Sequence, residues 1–332
     1  MTIDTDKYGW RTMCSLLTCS LVLAACGSGG DDAADVAATD PPPTTQTPAS
    51  TAPPTTIAPT TIAPTSIAPT TTIATPEPIP IEPPEGMELV WSDEFDGDAI
   101  DRANWTYDIG GWGWGNGEAQ YYTDRPENSR TQNGLLVIEL LQEKFEDKYH
   151  TSARLKSQGL QEFQYGRIEA RIKVPKGAGT WPAFWMLGSD FEQDAPDPKN
   201  QWPNIGEIDI MEYVGREPDL VIGTLHGPGY AGAGGKSQWN RQEFDIGDDF
   251  HTFAVDWDDQ GIRWFFDGEM YFEVGPSDLG GSEWVFDRPF FIILNLALGG
   301  TLGGNIALDL EFPIQYYVDY VRVYQPVPES SG

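Results

Sequence analysis

Short runs in which apolar and polar residues alternate recur along the chain after residue 85, and alternation at a period of two is the pattern of a β-strand. Clusters of Gly, Pro, Asp and Asn separate the runs, as expected of turns between short strands. The clearest runs occupy residues 135–141, 165–174, 221–225, 252–257, 262–266, 290–296 and 317–324. The pattern predicts an all-β fold, a two-sheet antiparallel β-sandwich of the jelly-roll type with an open concave cleft.

Two connections between these runs carry the residues of tight hairpin turns. Residues 258–261, Asp-Asp-Gln-Gly, join one pair of runs, and Asp267-Gly268 follows the second run of that pair. Asp-Gly is a preferred two-residue hairpin turn because both positions require a positive φ angle. The sequence therefore predicts consecutive antiparallel strands in this region.

The run at residues 206–215 departs from strict alternation at one point. Glu207 and Asp209 are two residues apart, so their side chains share one face of a strand. Glu212 comes five residues after Glu207 and would point to the opposite face of a regular strand. One extra residue near positions 210–211, a β-bulge, returns Glu212 to the first face, and bulges are frequent beside active sites. We predict such a bulge.

Three neighbouring carboxylates without an intervening Lys or Arg repel one another, and this repulsion separates their pKa values. The result is one ionised carboxylate and one carboxyl group that stays protonated at the working pH. A retaining glycosidase uses such a pair, with carboxyl groups about 5 to 5.5 Å apart, closer than the roughly 6.5 to 9.5 Å of inverting enzymes. The alternative for an isolated Glu-x-Asp pair is an edge strand with a solvated acidic face.

The surrounding residues favour the enzymatic interpretation, because the run and the preceding Trp202-Pro203 resemble the signature of glycoside hydrolase family 16 in the bulged form of the laminarinases. Further stretches resemble family motifs in the expected order, at residues 91–95, 116–122, 152–155, 165–167, 181–187 and 318–324. The resemblance covers about residues 88–325, effectively the whole folded part. It implies that Glu207 is the nucleophile, that Asp209 assists it, and that Glu212 is the acid/base.

The resemblance also implies six substrate-binding residues: Asn116, Arg154, Trp181, Trp202, His226 and Asn295. The two tryptophans are expected to line the subsites on the non-reducing side. Arg154 and Asn295 are expected to hydrogen-bond sugar hydroxyls, and His226 to bind Glu212 or the leaving sugar. The alternatives are core positions for the tryptophans, a surface ion pair for Arg154 and a structural role for His226.

Two details of these motifs modify the expectation. Gly117 stands where the family usually has Asn, which removes a side-chain hydrogen bond near the sugar. Trp185, within an apolar motif, is expected to be buried.

The resemblance implies no cofactor for the chemistry, but many family members carry a structural calcium ion far from the active site. The matching positions are Glu94, the backbone carbonyl of Gly134, and Asp319. An all-oxygen set of ligands suits calcium, which takes 6 to 8 oxygens.

The first 84 residues differ in composition from the rest. Residues 1–26 have Lys7 and Arg11 followed by an apolar run that is too short to span a bilayer, which predicts a secretory signal. Its end resembles a bacterial lipobox and implies lipidation of Cys26, with the mature protein held on the outer face of the cell envelope. Residues 27–84 are rich in Thr, Pro and Ala, and they predict an extended spacer before a catalytic domain at 85–328.

Charge and cysteine content restrict the function further. The formal net charge of −31 at pH 7 argues against nucleic acid as a partner, because phosphate binding would be repulsive. The three cysteines all lie within the first 26 residues, so the folded part has neither a disulfide nor a thiolate metal site. A neutral polysaccharide fits these limits, and we expect a monomer.

The function predicted from the resemblance is that of a retaining endo-glycosidase that hydrolyses β-1,3-glucan and mixed-linkage β-1,3-1,4-glucan. One alternative is a family relative that acts on another β-glycan, such as a galactan or agar, and another is transglycosylation. A non-catalytic β-glucan-binding protein is the alternative from a different class, since such a fold serves binding as well as catalysis.

Overall fold

The structure of the protein is a computed structural model that describes residues 74–328. The predicted signal segment with Cys26 and most of the predicted spacer lie outside the described residues, so lipidation and secretion stay predictions. Within residues 74–328, no helix reaches the length and hydrophobicity that a membrane crossing requires.

The described residues form eighteen β-strands, one single-turn α-helix and four short 3-10 helices. The strands are β1 (Met87–Asp93), β2 (Thr106–Tyr107), β3 (Tyr121–Tyr122), β4 (Ser129–Gln132), β5 (Leu135–Phe145), β6 (Lys148–Ser152), β7 (Arg154–Lys156), β8 (Glu162–Phe163), β9 (Gly166–Lys173), β10 (Thr180–Gly188), β11 (Glu207–Tyr213), β12 (Leu220–His226), β13 (Lys236–Arg241), β14 (His251–Asp258), β15 (Gly261–Phe266), β16 (Glu269–Val274), β17 (Phe290–Leu298) and β18 (Ile314–Pro326). The helix α1 is Gly300–Gly303, and the 3-10 helices are Pro198–Asn200, Gly232–Gly234, Ile246–Asp248 and Pro276–Leu279.

The strands form two sheets. The larger sheet has ten strands, and its main order is β16-β15-β14-β9-β18-β5-β6-β3, with β1 paired to β18 and β4 to β5. The smaller sheet has eight strands in the order β13-β12-β11-β10-β17-β7-β2, with β8 paired to β17. Pairing is antiparallel except between β3 and β6, where two residues of each strand run parallel. The predicted all-β sandwich is confirmed, with this one parallel pair as a difference.

The core lies between the two sheets and is built from one face of each. Ile168 and Val255 come from the ten-stranded sheet, and Phe184, Ile208 and Leu294 come from the eight-stranded sheet. All five side chains are fully buried. Burial of these apolar faces is the main favourable contribution to folding. The other face of the eight-stranded sheet, called the cleft face below, points away from the core.

All seven runs predicted from alternation are strands, with ends that differ by no more than four residues. Both predicted hairpins are also present. Asp258 pairs with Gly261 across the first turn, and the Asp258 side chain accepts hydrogen bonds from the backbone N–H groups of Gln260 and Gly261. In the second turn, Asp267 and Gly268 have φ angles of 47° and 82°, as a primed hairpin turn requires.

The last residues of the predicted spacer contact the ten-stranded sheet. Arg322 on β18 is 3% exposed and donates hydrogen bonds to the backbone carbonyls of Ile79 and Pro80, at 2.8 and 3.3 Å. The Arg322 guanidinium also forms a two-pronged pair with Glu94. Contact with the sandwich therefore begins a few residues before position 85.

Candidate active site

The predicted bulge is present in β11. Asp209 pairs with Thr224 of β12 and Glu212 pairs with Ile222, so two residues of β11 lie opposite the single residue Gly223. The register against β10 shifts at the same point. Ile210 and Met211, the two residues of the bulge, are both buried in the core. Glu212 consequently projects from the same face as Asp209, as the sequence predicts.

A tryptophan of the opposite sheet holds the bulge. The indole N–H of Trp264 on β15 donates a hydrogen bond of 2.8 Å to the backbone carbonyl of Asp209. Trp264 is fully buried, and it fits there because Gly223 lacks a side chain: a Cβ at Gly223 would lie 2.7 Å from Trp264 Cδ1. A buried carbonyl without a partner would cost about 1 to 3 kcal/mol, so this bond stabilises the irregular backbone.

Glu207, Asp209 and Glu212 form one group with His226, which we call the carboxylate cluster. His226 Nε2 lies 3.2 Å from Asp209 Oδ2 and 3.6 Å from Glu207 Oε1. The indole N–H of Trp181 donates a hydrogen bond of 3.0 Å to Glu212 Oε1. The predicted contact between His226 and Glu212 is replaced by a contact with Asp209. The reason is the strand register, since His226 lies directly opposite Glu207.

Burial raises the pKa of every carboxyl group in the carboxylate cluster. The pKa of Asp209 rises from an ordinary 3.8 to about 8, and that of Glu212 from 4.5 to about 8. The pKa of Glu207 lies well above its usual range, because burial and the charge of Asp209 act together and His226 opposes them only in part. The three groups titrate as one coupled set. The cluster therefore retains protons at neutral pH, and a general acid is available there.

Arg154 lies beside this group on β7 and is held from three sides. Its guanidinium stacks between the rings of Trp114 and Trp185, at 4.9 and 4.7 Å from their centroids. Arg154 Nε lies 2.9 Å from Asp108 Oδ2, and Lys156 binds the other oxygen of that carboxylate at 2.7 Å. Arg154 thus has an ion-pair partner, but it is only 9% exposed rather than a surface residue. Its two terminal nitrogens have no hydrogen-bond partner among the described residues.

A chain of side-chain hydrogen bonds fixes the position of the Trp185 ring. The indole N–H of Trp185 donates to Asn295 Oδ1 at 2.7 Å, and Asn295 Nδ2 donates to the Tyr122 hydroxyl at 3.1 Å. That hydroxyl donates to Glu118, which also accepts hydrogen bonds from Gln120 at 2.6 Å and from Asn116. Asn295 is 6% exposed and its amide is used by protein partners, so the structure gives it a positioning role. Sugar binding by Asn116 and Asn295 stays a prediction.

Sequence reasoning missed several of these residues, namely Asp108, Glu118, Tyr122 and Trp185. Glu118 and Tyr122 lie within the motif at residues 116–122, so the motif was a usable signal for them. The expectation that Trp185 is buried was wrong, because its side chain is only half-buried. The cause is its alternation with Phe184 and Met186, which take the core positions on β10.

Residues 116–322 match the model of the family described as glycosyl hydrolases family 16. The chain belongs to glycoside hydrolase family 16. The β-glucanase of Rhodothermus marinus is 45% identical over 251 residues, which cover 72% of this chain and 85% of that protein. The family resemblance inferred from the motifs is confirmed, and the protein is a glycoside hydrolase.

Solved structures of similar proteins have the same fold. The laminarinase catalytic domain of Thermotoga maritima MSB8 matches with a TM-score of 0.69 at 43% identity, over 73% of this chain and 100% of that one. The endo-β-1,3-glucanase of Pyrococcus furiosus matches with a TM-score of 0.68 at 45% identity, over 73% and 95% of the two chains. These matches confirm the jelly-roll sandwich for this glycoside hydrolase.

The two tryptophans predicted to bind sugar in this glycoside hydrolase have different environments. Trp181 is 8% exposed and packs against Val214 and Ala297, so its main polar contact is the hydrogen bond to Glu212. Trp202 is 44% exposed, and its ring centroid lies 6.0 Å from that of His226. Trp202 is therefore the accessible aromatic side chain of the two at the carboxylate cluster, whereas Trp181 is buried.

Two sets of residues bear on metal binding. Glu207, Asp209 and His226 offer ligand atoms within 4.8 Å of one another. At the predicted calcium positions, Glu94 is paired with Arg322, and Asp319 accepts a hydrogen bond from Arg171 at 2.6 Å. A cation would compete with both guanidinium groups. Calcium binding at Glu94, Gly134 and Asp319 therefore stays a prediction, and calorimetric titration of EDTA-treated protein with calcium would test it.

Proposed function

We propose that this protein cuts β-1,3-glucan chains internally, as the laminarinases and endo-β-1,3-glucanases similar to it are named for doing. The observation that carries the proposal is the bulged strand β11, which brings Glu207, Asp209 and Glu212 to one face of the sheet. Exposed and half-buried aromatic rings beside them, those of Trp202, Trp114 and Trp185, suit the apolar C–H faces of glucose rings.

In the first step of the proposed reaction, Glu212 donates its proton to the glycosidic oxygen. Glu207, in its ionised form, attacks the anomeric carbon, the carbon–oxygen bond to the leaving sugar breaks, and a covalent glycosyl-enzyme forms. Burial suits Glu212 to the acid role because it keeps the carboxyl group protonated at neutral pH. The hydrogen bond from Trp181 fixes the orientation of Glu212.

In the second step, ionised Glu212 takes a proton from water, and the resulting hydroxide oxygen attacks the anomeric carbon. The bond to Glu207 breaks, and the product keeps the β configuration because the carbon has been inverted twice. If a sugar hydroxyl replaces water, the same step forms a new glycosidic bond. Transglycosylation is therefore the second activity that this site supports.

Asp209 and His226 would tune the nucleophile. Burial raises the pKa of Asp209, and its interaction with the neighbouring Glu207 side chain lowers that pKa by a smaller amount. His226, in contact with both carboxylates, compensates negative charge when Glu207 ionises. His226 therefore favours the ionised form of Glu207 that attacks, whereas a negative charge on Asp209 opposes it.

Product analysis tests the proposal most directly. The purified protein is expected to convert laminarin into a ladder of oligosaccharides, to cut lichenan more slowly, and to leave agarose intact. Cleavage of agarose in place of laminarin would favour the galactan alternative. Binding of laminarin without cleavage of any substrate would favour the glucan-binding alternative.

Azide rescue separates the two glutamates. Glu212→Ala is expected to lose about 10²- to 10⁴-fold in hydrolysis of laminarin. With an activated aryl glycoside and azide, this variant is expected to give a β-glycosyl azide, because azide replaces water in the second step. Glu207→Ala is expected to give the α-glycosyl azide, since no covalent intermediate forms. The same azide anomer from both variants would contradict the assignment, and Glu269→Ala, at an exposed site on β16, is the control.

We also propose that the mature protein is tethered by a lipid on Cys26 to the outer face of the cell envelope, with the Thr- and Pro-rich spacer separating it from the membrane. The support is the lipobox-like sequence alone. Cys26→Ser is expected to move the protein from the membrane fraction to the soluble fraction. An unchanged distribution would contradict lipidation.

A further inference from the structure

Trp239 is a large aromatic residue with no assigned role. It lies on β13, the edge strand of the eight-stranded sheet, and its side chain is 56% exposed. Among the described residues, its ring contacts no other aromatic ring, and its indole N–H has no hydrogen-bond partner. Single exposed apolar residues are common. The position of Trp239 relative to the catalytic strand sets it apart.

The strand register places Trp239 in one row with the proposed acid. Glu212 lies opposite Ile222 between β11 and β12, and Ile222 lies opposite Trp239 between β12 and β13. Residues directly opposite each other in antiparallel strands point to the same face of the sheet. Trp239 therefore projects from the cleft face together with Glu212. Two strand spacings, about 10 Å, separate the two backbone positions.

The neighbouring pair confirms this orientation. Gly223, next to Ile222, points into the core, where a Cβ would meet Trp264 and Tyr271. Its partner on β13 is Gln238. Since side chains alternate along a strand, Trp239 faces the other way, toward the cleft.

The same row continues on the other side of Glu212. Glu212 lies opposite Ala183, Ala183 opposite Asn295, and Asn295 opposite Arg154. The row thus crosses the sheet with Glu212 near its middle. Arg154 and the rings that hold it occupy one half. Trp239 is the large exposed side chain of the other half, and Ile222 between them is only 3% exposed and forms the floor.

We propose that Trp239 is a stacking platform for the leaving-group side of the glucan, about two sugar rings beyond the bond that is cut. This inference rests on the proposed function and deepens it. A flat indole face suits a pyranose ring, and the distance to Glu212 matches the length of two linked sugars. The exposed Ser237 in the adjacent row, whose hydroxyl donates a hydrogen bond of 3.1 Å to the buried Thr224, offers a polar partner for a sugar hydroxyl beside it.

The platform has two consequences for the reaction. A chain bound across it is held on both sides of the cut, which favours internal cleavage over release of single glucose units. A sugar bound there also lies where an incoming acceptor would lie in the second step. Trp239 therefore promotes transglycosylation as well as endo-cleavage.

The test compares two substrates that differ in reach. In laminarihexaose labelled at its reducing end, the leaving part can extend to Trp239. In 4-nitrophenyl β-laminaribioside, the leaving group is a single ring that ends before Trp239. Trp239→Ala is expected to lower kcat/KM for the hexaose by about 3- to 10-fold, mainly through KM. It is also expected to move the cuts toward the labelled end and to leave hydrolysis of the aryl glycoside within about twofold of the original rate.

Two variants serve as controls. Trp239→Phe keeps a flat ring and is expected to retain most of the activity on the hexaose. Tyr149→Ala removes a similarly exposed aromatic residue from β6 of the other sheet and is expected to change neither substrate. This pair of controls separates ring stacking from a general effect of removing a surface aromatic side chain.

Three results would overturn the inference. Equal losses on both substrates would indicate a structural role for Trp239, and an unchanged cleavage pattern would show that no sugar binds there. Failure of the unsubstituted protein to cleave either substrate would overturn the proposed function, and the inference with it.

Discussion

Replacing Glu212 with Gln should stabilise the protein at neutral pH even as it removes activity. In the folded state, burial holds the pKa of Glu212 at about 8, compared with 4.5 for an ordinary glutamate. Between these values the folded protein keeps a proton that the unfolded chain loses. The folded state therefore binds more protons, and its stability falls as the pH rises from about 4.5 to about 8. A glutamine side chain at this position does not titrate, so the variant escapes this loss.

The size of the effect follows from the same two values. At pH 7, the solution is roughly 2.5 pH units above the ordinary pKa, and each unit is worth ~1.4 kcal/mol. Glu212→Gln therefore increases the free energy of unfolding by at most about 3 kcal/mol more at pH 7 than at pH 4.5. In a domain of this size, that difference corresponds to a rise of about 6 to 12 °C in Tm. Coupling to Asp209 and relaxation around the charge reduce the figure.

Urea unfolding followed by tryptophan fluorescence at pH 4.5 and pH 7 measures the effect. The difference between the two pH values cancels any effect of the amide group itself on stability. The glutamine side chain can accept the hydrogen bond from Trp181 at either pH. Glu269→Gln, at an exposed position on β16, is the matched control and should change stability equally at both pH values. A pH-independent effect of Glu212→Gln would refute the argument that burial keeps this group protonated.

Three further predictions concern the carboxylate cluster. Trp181→Phe removes a hydrogen bond that lowers the pKa of Glu212 and so partly offsets the effect of burial. The alkaline limb of the pH profile of kcat/KM should therefore move to higher pH. An unmoved limb would contradict the acid role of Glu212. Gly235→Ala places a Cβ 2.5 Å from His226 Cε1 and should lower kcat while the protein stays folded, as judged by circular dichroism. Zinc should inhibit reversibly, because two carboxylates and the imidazole lie within ligand reach of one another, and EDTA should restore activity.

The strands and the three acids could be predicted from sequence because their signals are local. Alternation, the Asp-Gly turn and the spacing of the carboxylates all fall within a few residues. The support around Arg154 is different: the hydrogen bond between Asn295 and Tyr122 joins residues 173 positions apart. Such a contact depends on the order of strands in the sheet, which no local pattern records. The motif at residues 116–122 includes Glu118 and Tyr122, but it does not indicate that Tyr122 contacts Asn295.

His226 shows the same limit on a smaller scale. The sequence places it at the end of the strand after the catalytic one, near the acids. Which acid it contacts depends on the register between β11 and β12, and the bulge shifts that register within the strand. The contact with Asp209 and Glu207 follows once the pairing is known, because His226 lies opposite Glu207.

The apolar residues of β11 explain why the bulge forms where the acids need it. In a regular strand, Ile208 and Ile210 would share one face, and Met211 and Tyr213 would share the opposite face. A regular strand could bury only one pair, and a one-residue shift turns every following side chain over. With the bulge, all four residues enter the core.

Burying the second pair is worth roughly 1.5 to 3 kcal/mol for each side chain, which is comparable to the cost of placing a carboxyl group such as that of Glu212 in a buried site. The hydrophobic pattern thus selects the irregular strand, and the hydrogen bond from Trp264 to the Asp209 carbonyl secures it. The orientation of Asp209 and Glu212 toward the cleft follows from where the apolar residues must go. The core of this glycoside hydrolase therefore determines the geometry of its acids.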